Sequence, residues 1–273
     1  MKHPNGSKKQ EPAGAMTSAI KAPPAWMMLL EGRAPWELAV TFAAWPWLSR
    51  LPRGDGHPVL VFPGLAANDL STIPLRGFLR ALNYDPYPWN YGLNFGPRTG
   101  VLKGCIEHVK ELSAQRKMSV SLVGWSLGGI YAREVAKQIP GKVRMVITLG
   151  TPFDGPADAT NAGRLFKVLS GIDPKAHPDR DRIRQLPPVP TTSILSKTDG
   201  VVAWQTSVNP HSAKSETIEI TASHMGMGAN PLSFYAIADR LAQPEGQWRA
   251  FQNDGFRRPF FKTGHPTEHA DSK

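Results

Sequence analysis

The sequence predicts an α/β fold with a doubly wound, mainly parallel sheet of at least six strands. Two observations indicate it. From His57 onward, short apolar runs alternate with stretches whose apolar residues recur every three or four positions, the pattern of strands joined by helical crossovers. The segment Gly124-Trp125-Ser126-Leu127-Gly128 stands between one such run and one such stretch, as a tight strand-to-helix turn does.

The apolar patterns give the expected order of elements. We expect strands at about 59–62, 84–89, 118–123, 143–149, 191–195 and 217–220, and helices at about 71–82, 99–116, 127–139 and 231–241. The glycines around Ser126 fit a strained turn, because such a turn leaves room for little more than a hydrogen two residues before and after the serine.

Five segments, in order, resemble the α/β-hydrolase family, in particular bacterial esterases and lipases. They are Val61-Phe62-Pro63-Gly64-Leu65, Gly124-Trp125-Ser126-Leu127-Gly128, Leu149-Gly150-Thr151-Pro152, Thr198-Asp199-Gly200-Val201-Val202 and Ser223-His224-Met225-Gly226. The resemblance covers about residues 57–243 and implies a cap or lid inserted at about 153–190. Phe62-Pro63-Gly64 departs from the His-Gly pair of many lipases, and Trp125 and Phe153 stand where histidine is frequent.

The resemblance implies a triad of Ser126, Asp199 and His224. A serine hydroxyl needs a base that takes its proton and an acid that orients the base. Asp199 and His224 each follow a predicted strand, so both fall at the sheet edge where Ser126 is expected and where open α/β sheets bind ligands.

Other residues compete for these roles. His211 is a rival base, although it precedes the last predicted strand, and Asp154 and Asp173 are rival acids. Asp199 also suits an ordinary turn, since aspartate is favoured before glycine. His57 opens the first strand at its amino end, on the opposite side of the sheet from Ser126.

An oxyanion formed at Ser126 needs two hydrogen-bond donors. We expect one from the backbone N–H of Leu127, at the amino end of a helix, and the family pattern implies a second from Leu65. Gly64 lets the loop after the first strand approach a substrate closely, and Trp125 is expected to contact the substrate.

The ends of the chain differ in composition from the body. Residues 1–25 are predicted to be a disordered tail, and residues 244–273 a polar appendage. Residues 26–56 are apolar and rich in tryptophan, but Glu31, Arg33 and Glu37 interrupt them and two prolines are expected to break helices. The segment either packs on the catalytic body or rests on a membrane or lipid interface. It is not a convincing signal peptide, because about 25 residues precede the first apolar run.

Charge and cysteine content exclude several classes of function. The net charge of +10 is spread as +3, +6 and +1 over residues 1–58, 59–243 and 244–273, so no basic arm for nucleic acid is expected. The single cysteine, Cys105, lies on an apolar helix stripe and is expected to pack in the core. No local metal-binding or phosphate-binding signature occurs, so neither a metal nor another cofactor is expected.

These observations favour a serine hydrolase that cleaves carboxylic esters through an acyl-enzyme. An acyltransferase or an amidase-like deacylase on the same triad, and a non-catalytic membrane-associated binding protein, stay open. The expected partner is a small-molecule or lipid ester. We expect a cytoplasmic protein with a peripheral membrane contact as the alternative, and the sequence leaves the oligomeric state open.

Overall fold

The computed structural model describes residues 20–156, 159–172 and 180–263, and these form a seven-stranded sheet. The strands are β1 (Pro58–Phe62), β2 (Asp85–Pro88), β3 (Val120–Trp125), β4 (Val143–Leu149), β5 (Thr191–Leu195), β6 (Ser215–Glu219) and β7 (Lys262–Thr263). Their order in the sheet is β2-β1-β3-β4-β5-β6-β7, and only the last pair is antiparallel. This is the doubly wound, mainly parallel sheet that the sequence predicts.

Helices cover both faces of the sheet. They are α1 (Ala34–Leu48), α2 (Ile73–Ala81), α3 (Val101–Arg116), α4 (Leu127–Gln138), α5 (Gly163–Ser170), α6 (Arg180–Arg184) and α7 (Pro231–Leu241). Short 3₁₀ helices occur at Ala25–Arg33, Pro140–Lys142, Trp204–Ser207, Met227–Ala229 and Gly255–Arg257. The predicted bounds of the six strands and four helices lie within two residues of these.

Successive side chains of each strand enter different apolar clusters. Val123 of β3 packs in a cluster with α2 and α7, whereas its neighbour Leu122 packs in a second cluster with α3 and α4. Strand side chains alternate between the two faces, so each face carries its own core. Cys105 is buried in the second cluster, as its position on the apolar stripe predicts.

The amino-terminal segment, which we define as residues 20–48, forms a 3₁₀ helix followed by α1. Both prolines are accommodated, contrary to the prediction that they break helices. Pro35 is the second residue of α1, where the backbone N–H lacks a helical partner in any case, and Pro46 falls in the last turn. The end of α1 is anchored by buried Leu48 and by Trp47, which stacks on Tyr235 at 5.3 Å.

Parts of both predicted tails pack on the rest of the protein. Residues 1–19 and 264–273 lie outside the described residues, but Ile20 lines a cavity and the Pro23 carbonyl accepts a hydrogen bond from Asn161. At the other end Phe251 and Phe261 are buried in the core, and β7 extends the sheet. The prediction of an appendage from 244 onward is therefore wrong for 251–263, because two aromatic side chains anchor a polar stretch.

The predicted cap contains α5 and α6, while residues 157–158 and 173–179 lie outside the described part of the chain. The body holds α6 through charged groups. Arg182 pairs with Glu134 of α4 at 3.1 Å, and Lys137 donates a hydrogen bond to the Ile183 carbonyl.

Candidate active site

Ser126 occupies a strained turn between β3 and α4. Its backbone has φ = 52° and ψ = −123°, a left-handed region that residues other than glycine seldom adopt. The turn is packed too tightly for side chains on its flanks. A Cβ on Gly124 would lie 2.4 Å from the Cα of Gly129, and a Cβ on Gly128 would lie 2.4 Å from the Phe62 carbonyl oxygen.

Hydrogen bonds to the backbone of Ser126 hold the strained conformation. The Ser126 N–H donates to the Leu149 carbonyl at 2.7 Å, and its carbonyl accepts from the Thr151 hydroxyl at 2.9 Å and from the Gly129 N–H at 3.0 Å. The turn is thus fixed to the end of β4 as well as to its own helix.

The three side chains of the predicted triad lie together at the carboxyl ends of their strands. The His224 Nε2 atom is 2.9 Å from the Ser126 hydroxyl oxygen, and the His224 Nδ1 atom is 2.7 Å from Asp199 Oδ2. Asp199 is fixed in turn, because its Oδ1 atom accepts hydrogen bonds from the N–H groups of Val201 at 2.8 Å and Val202 at 2.7 Å. The serine, imidazole and carboxylate therefore form one hydrogen-bonded row.

The charges around His224 favour its protonated form. Burial acts to lower the pKa of His224, but the charge and hydrogen bond of Asp199, with a smaller contribution from the Glu31 charge, raise this pKa above its ordinary value. An imidazole in this setting can accept a proton from Ser126, because Asp199 stabilises the imidazolium that results.

The predicted oxyanion donors are the backbone N–H groups of Leu65 and Leu127. Leu65 and Leu127 both line the cavity next to Ser126, and neither N–H donates to an acceptor in the described part of the chain. The Leu65 loop is held by buried Asn94, which donates to the Pro63 carbonyl at 2.8 Å, and whose carbonyl accepts the Ala66 N–H at 2.8 Å. Because both N–H groups lack an acceptor within the described residues, both are available to a developing oxyanion.

Gly64 and Trp125 differ in their relation to the site. A Cβ on Gly64 would lie 3.4 Å from the Ser126 Cβ, an ordinary van der Waals distance, so the role of Gly64 in substrate approach stays a prediction. Trp125 instead lies behind the triad, where its indole N–H donates to the His224 carbonyl at 3.0 Å. The prediction that Trp125 contacts the substrate is not met, because its ring is turned into the core beneath the imidazole.

An apolar cavity of about 810 Å³ adjoins Ser126. Its apolar lining comes from the amino-terminal segment, the loop after β1, α4, the cap with α5 and α6, and the loop after β5: Ile20, Leu65, Leu127, Ile130, Pro152, Phe153, Phe166, Ile183 and Val202. The volume is in the range of small-molecule sites. Two charged residues, Arg184 and Asp154, also line the cavity and form an ion pair at 2.8 Å.

The rival residues occupy other positions. The Asp154 carboxylate pairs with Arg184, His211 lies on the exposed stretch before β6, and Asp173 is outside the described residues. His57 is fully buried at the amino end of the sheet, with Nε2 2.8 Å from the Ser121 hydroxyl and Nδ1 2.5 Å from Asp55. Asp55, His57 and Ser121 do not line the cavity beside Ser126.

The amino-terminal segment supplies contacts that sequence reasoning missed. The Glu31 carboxylate accepts backbone hydrogen bonds from Gly200 and His224, and Glu37 accepts one from Ser223. Arg33 donates to the Thr198 carbonyl at 3.0 Å. The signal was present as three charged residues in an otherwise apolar run, but the sequence did not indicate their partners.

Comparisons with known proteins agree with this architecture. A family model described as a PGAP1-like alpha/beta domain matches residues 88–225, a range that includes Ser126, Asp199 and His224. No curated protein sequence matches the chain.

Solved structures of lipases share the fold. Lipase B of Aspergillus fumigatus superposes with a TM-score of 0.55 at 18% identity, over 72% of this chain and 55% of that one, so the chain spans about half its length. A Paleococcus ferrophilus monoacylglycerol lipase gives 0.51 at 14% identity, over 70% and 96% of the two chains. A mature Bacillus licheniformis lipase gives 0.51 at 19% identity, over 71% and 95%. The chain therefore has the α/β-hydrolase fold and belongs to the family of PGAP1-like alpha/beta domains.

Proposed function

We propose that this protein is a serine hydrolase that cleaves carboxylic esters through an acyl-enzyme intermediate. The observation that carries the proposal is the strained Ser126, whose hydroxyl lies 2.9 Å from His224 Nε2 at the edge of an apolar cavity. Backbone strain of this kind persists where surrounding contacts enforce it, and it commonly serves a mechanism. The family and the lipase folds among its structural neighbours point to the same chemistry.

The first half of the proposed reaction acylates Ser126. The Ser126 oxygen forms a bond to the ester carbonyl carbon while His224 Nε2 takes the hydroxyl proton. The carbonyl oxygen becomes an oxyanion that the N–H groups of Leu65 and Leu127 stabilise. When the oxyanion collapses, the bond to the alcohol oxygen breaks and the departing alcohol takes the proton from His224.

The second half releases the acid. Water attacks the acyl carbon while His224 Nε2 accepts its proton, and the oxyanion forms at the same two donors. Collapse then breaks the bond to the Ser126 oxygen, which recovers the proton from His224. The products are one alcohol and one carboxylic acid, and the side chains return to their starting state.

The substrate class follows from the lining of the cavity. Apolar side chains such as Phe153, Phe166 and Val202 surround most of the space beside Ser126. Burying apolar surface contributes about 25 cal/mol per Å², so the cavity favours an ester with an apolar acyl or alcohol part. Hydrolysis of p-nitrophenyl esters should therefore increase in kcat/KM from acetate to chains long enough to fill the cavity.

We further propose that the outer face of the amino-terminal segment contacts a lipid surface. Every exposed residue from Pro24 to Trp47 is apolar or glycine, whereas Glu37 and Thr41 are buried against the body. Trp26, Leu29 and Trp36 are 62%, 82% and 71% exposed. Tryptophan suits the boundary between water and lipid, and the net charge of +10 favours an anionic surface. No helix in the described residues is long and apolar enough to cross a membrane.

The nucleophile is tested by comparing two serine variants. Ser126→Ala should lower kcat for p-nitrophenyl butyrate by about 10⁵- to 10⁶-fold, because triad members act as a unit, and should abolish labelling by a fluorophosphonate. Ser121→Ala removes the other histidine-bonded serine and is the matched control. It should keep both labelling and kcat within about threefold of wild type.

Two results would contradict the proposal. Hydrolysis by Ser126→Ala within about tenfold of wild type would mean that another group is the nucleophile. A wild-type protein that neither hydrolyses any ester of the series nor reacts with the fluorophosphonate would favour a non-catalytic binding protein.

A further inference from the structure

The carboxylates of Glu31 and Glu37 hold the two loops that carry Asp199 and His224. Glu31 Oε1 accepts the N–H of Gly200 at 2.8 Å and of His224 at 3.0 Å, and Glu31 Oε2 accepts the N–H of Met225 at 2.8 Å. Glu37 Oε1 accepts the N–H of Ser223 at 2.7 Å. The amino-terminal segment thus joins the loop that carries Asp199, which we call the acid loop, to the loop that carries His224, which we call the base loop.

These contacts cover backbone groups that have little access to water. His224 and Ser223 are 4% and 0% exposed, so an N–H at either residue that loses its acceptor incurs a desolvation cost. Charged acceptors form the stronger hydrogen bonds. Glu31 is therefore suited to fix the backbone positions of both triad partners of Ser126.

Arg33 completes the arrangement. Its Nε atom donates to Glu37 Oε1 at 2.9 Å, and its Nη2 atom donates to the Thr198 hydroxyl at 2.6 Å. Thr198 immediately precedes Asp199. Arg33 thereby offsets part of the negative charge of the two glutamates while it ties the segment to the acid loop a second time.

Two glycines show how closely the segment fits. A Cβ on Gly200 would lie 2.3 Å from the Met27 carbonyl oxygen, and a Cβ on Gly226 would lie 2.2 Å from Glu37 Oε2. Each glycine belongs to one of the two loops. A side chain at either position would displace the amino-terminal segment, so the loops and the segment fit one another by shape as well as by hydrogen bonding.

We propose that Glu31 is a positioning residue for catalysis, which fixes the acid loop and the base loop relative to each other and places a negative charge at the backbone N–H of His224. This inference rests on the proposed ester hydrolysis. Glu31 touches neither the substrate nor the reacting atoms, and it acts through Asp199 and His224. It also makes the amino-terminal segment part of the catalytic unit.

Glu31→Gln and Glu31→Ala test this role on p-nitrophenyl butyrate. We expect kcat to fall about 10- to 100-fold, since small displacements of catalytic groups have effects of this size, while KM stays within about twofold. The matched control is Glu107→Gln, an exposed carboxylate on α3 that pairs with Lys110. It should leave both constants unchanged.

The pH profile separates positioning from a purely structural role. Removing the negative charge of Glu31 lowers the pKa of His224, so the acidic limb of the kcat/KM profile should move to lower pH in Glu31→Gln. Glu31→Asp keeps the charge on a shorter side chain. It should retain the wild-type acidic limb with an intermediate kcat, and it serves as the folded variant if the others fail to fold.

The outcomes distinguish this proposal from the proposed function. If wild type is active and Ser126→Ala is not, unchanged kcat and an unchanged acidic limb in Glu31→Gln would overturn the positioning role. A lower kcat with an unmoved limb would overturn its electrostatic part. If wild type is inactive, the ester hydrolase proposal fails, and the role of Glu31 is read from NMR titration of the His224 ring, whose pKa should fall in Glu31→Gln.

Discussion

Ser121 and Ser126 lie five residues apart, and each hydroxyl lies within hydrogen-bond distance of a histidine that contacts an aspartate. They differ in backbone and access. Ser121 is an interior residue of β3 and is fully buried, whereas Ser126 follows the strand on a turn with positive φ beside the cavity. Of these two serines, only Ser126 lines the cavity described above, and it is the one that we propose as the nucleophile.

The pKa values of the two histidines move in opposite directions. Burial lowers the pKa of His57, so the neutral form is favoured there. At His224 burial acts in the same sense, but Asp199 outweighs it and the pKa rises. Of these two histidines, only His224 has a raised pKa, which suits the base of the proposed reaction.

The proposed oxyanion donors are backbone groups, so a glycine variant that shifts the Leu65 loop tests them. A Cβ on Gly128 would lie 2.4 Å and 2.6 Å from the carbonyl oxygens of Phe62 and Pro63, the residues that lead to Leu65. Gly128→Ala should push the Leu65 loop away from Ser126 and lower kcat/KM about 100-fold. The measurement is hydrolysis of p-nitrophenyl butyrate together with circular dichroism to establish that the variant folds.

Gly141→Ala is the control for this experiment, because a Cβ there meets nothing within 4 Å. Its kcat/KM should remain within about twofold of wild type. A folded Gly128→Ala protein with wild-type kcat/KM would exclude the assignment of Leu65 and Leu127 as paired oxyanion donors.

At the scale of elements, periodicity predicted where helices occur but not always which face they bury. In α2 the recurring apolar residues Leu75, Phe78 and Leu79 are buried, as the pattern indicates. In α1 the relation is reversed, since Glu37 and Thr41 are buried while Trp36 and Phe42 are exposed. The glutamates of this segment find partners about 170 to 190 residues away, and hydropathy along the sequence contains no information on such pairings.

The amino-terminal segment buries polar side chains and exposes apolar ones, and variants of the exposed residues test whether they bind lipid. The triple variant Trp26→Ser, Trp36→Ser, Phe42→Ser should lose binding to vesicles of phosphatidylcholine and phosphatidylserine. Each large side chain contributes about 1.5 to 3 kcal/mol when it enters an apolar phase, so three of them contribute at least about 4.5 kcal/mol and the affinity should fall at least about 1,000-fold. Co-sedimentation with the vesicles measures the loss, and hydrolysis of a short soluble ester should be unaffected.

A double variant of exposed apolar residues elsewhere is the control. Leu70 and Ile73 are 70% and 52% exposed and lie outside the amino-terminal segment, so Leu70→Ser, Ile73→Ser should bind vesicles like wild type. Equal binding by the triple variant would refute the lipid contact. Self-association of wild type that the triple variant lacks, without vesicle binding, would assign the face to a second copy of the chain.

At the scale of the whole molecule, the parallel sheet brings the site together. Ser126, Asp199 and His224 follow β3, β5 and β6, and Leu65 follows β1, so all four occur at the carboxyl edge of the sheet. This convergence could be predicted from the sequence, because strands joined by crossovers share a direction. The position of Trp125 could not be predicted from the sequence, since its contact with the His224 carbonyl depends on how the loop that carries His224 packs.

The carboxyl-terminal stretch was also beyond sequence reasoning. β7 has only two residues, Lys262 and Thr263, which is too short for a periodic signal. Its place beside β6 depends on the burial of Phe251 and Phe261, and on the Phe251 N–H, which donates to Glu216 at 2.6 Å. The sequence does not show whether an isolated aromatic residue in a polar stretch is buried.

The buried rings of the carboxyl-terminal stretch are expected to stabilise the fold. Phe251→Ala and Phe261→Ala each remove a ring that is 4% or 2% exposed in the cluster around Tyr235, and each should lower the free energy of unfolding by about 3 to 5 kcal/mol. Phe260→Ala is the matched control, because that ring is 53% exposed and its loss should change the free energy by less than about 1 kcal/mol. Urea unfolding followed by circular dichroism measures all three. If the stretch were a loose appendage, the three variants would unfold at the same urea concentration as wild type; if it closes the sheet, only Phe260→Ala will do so.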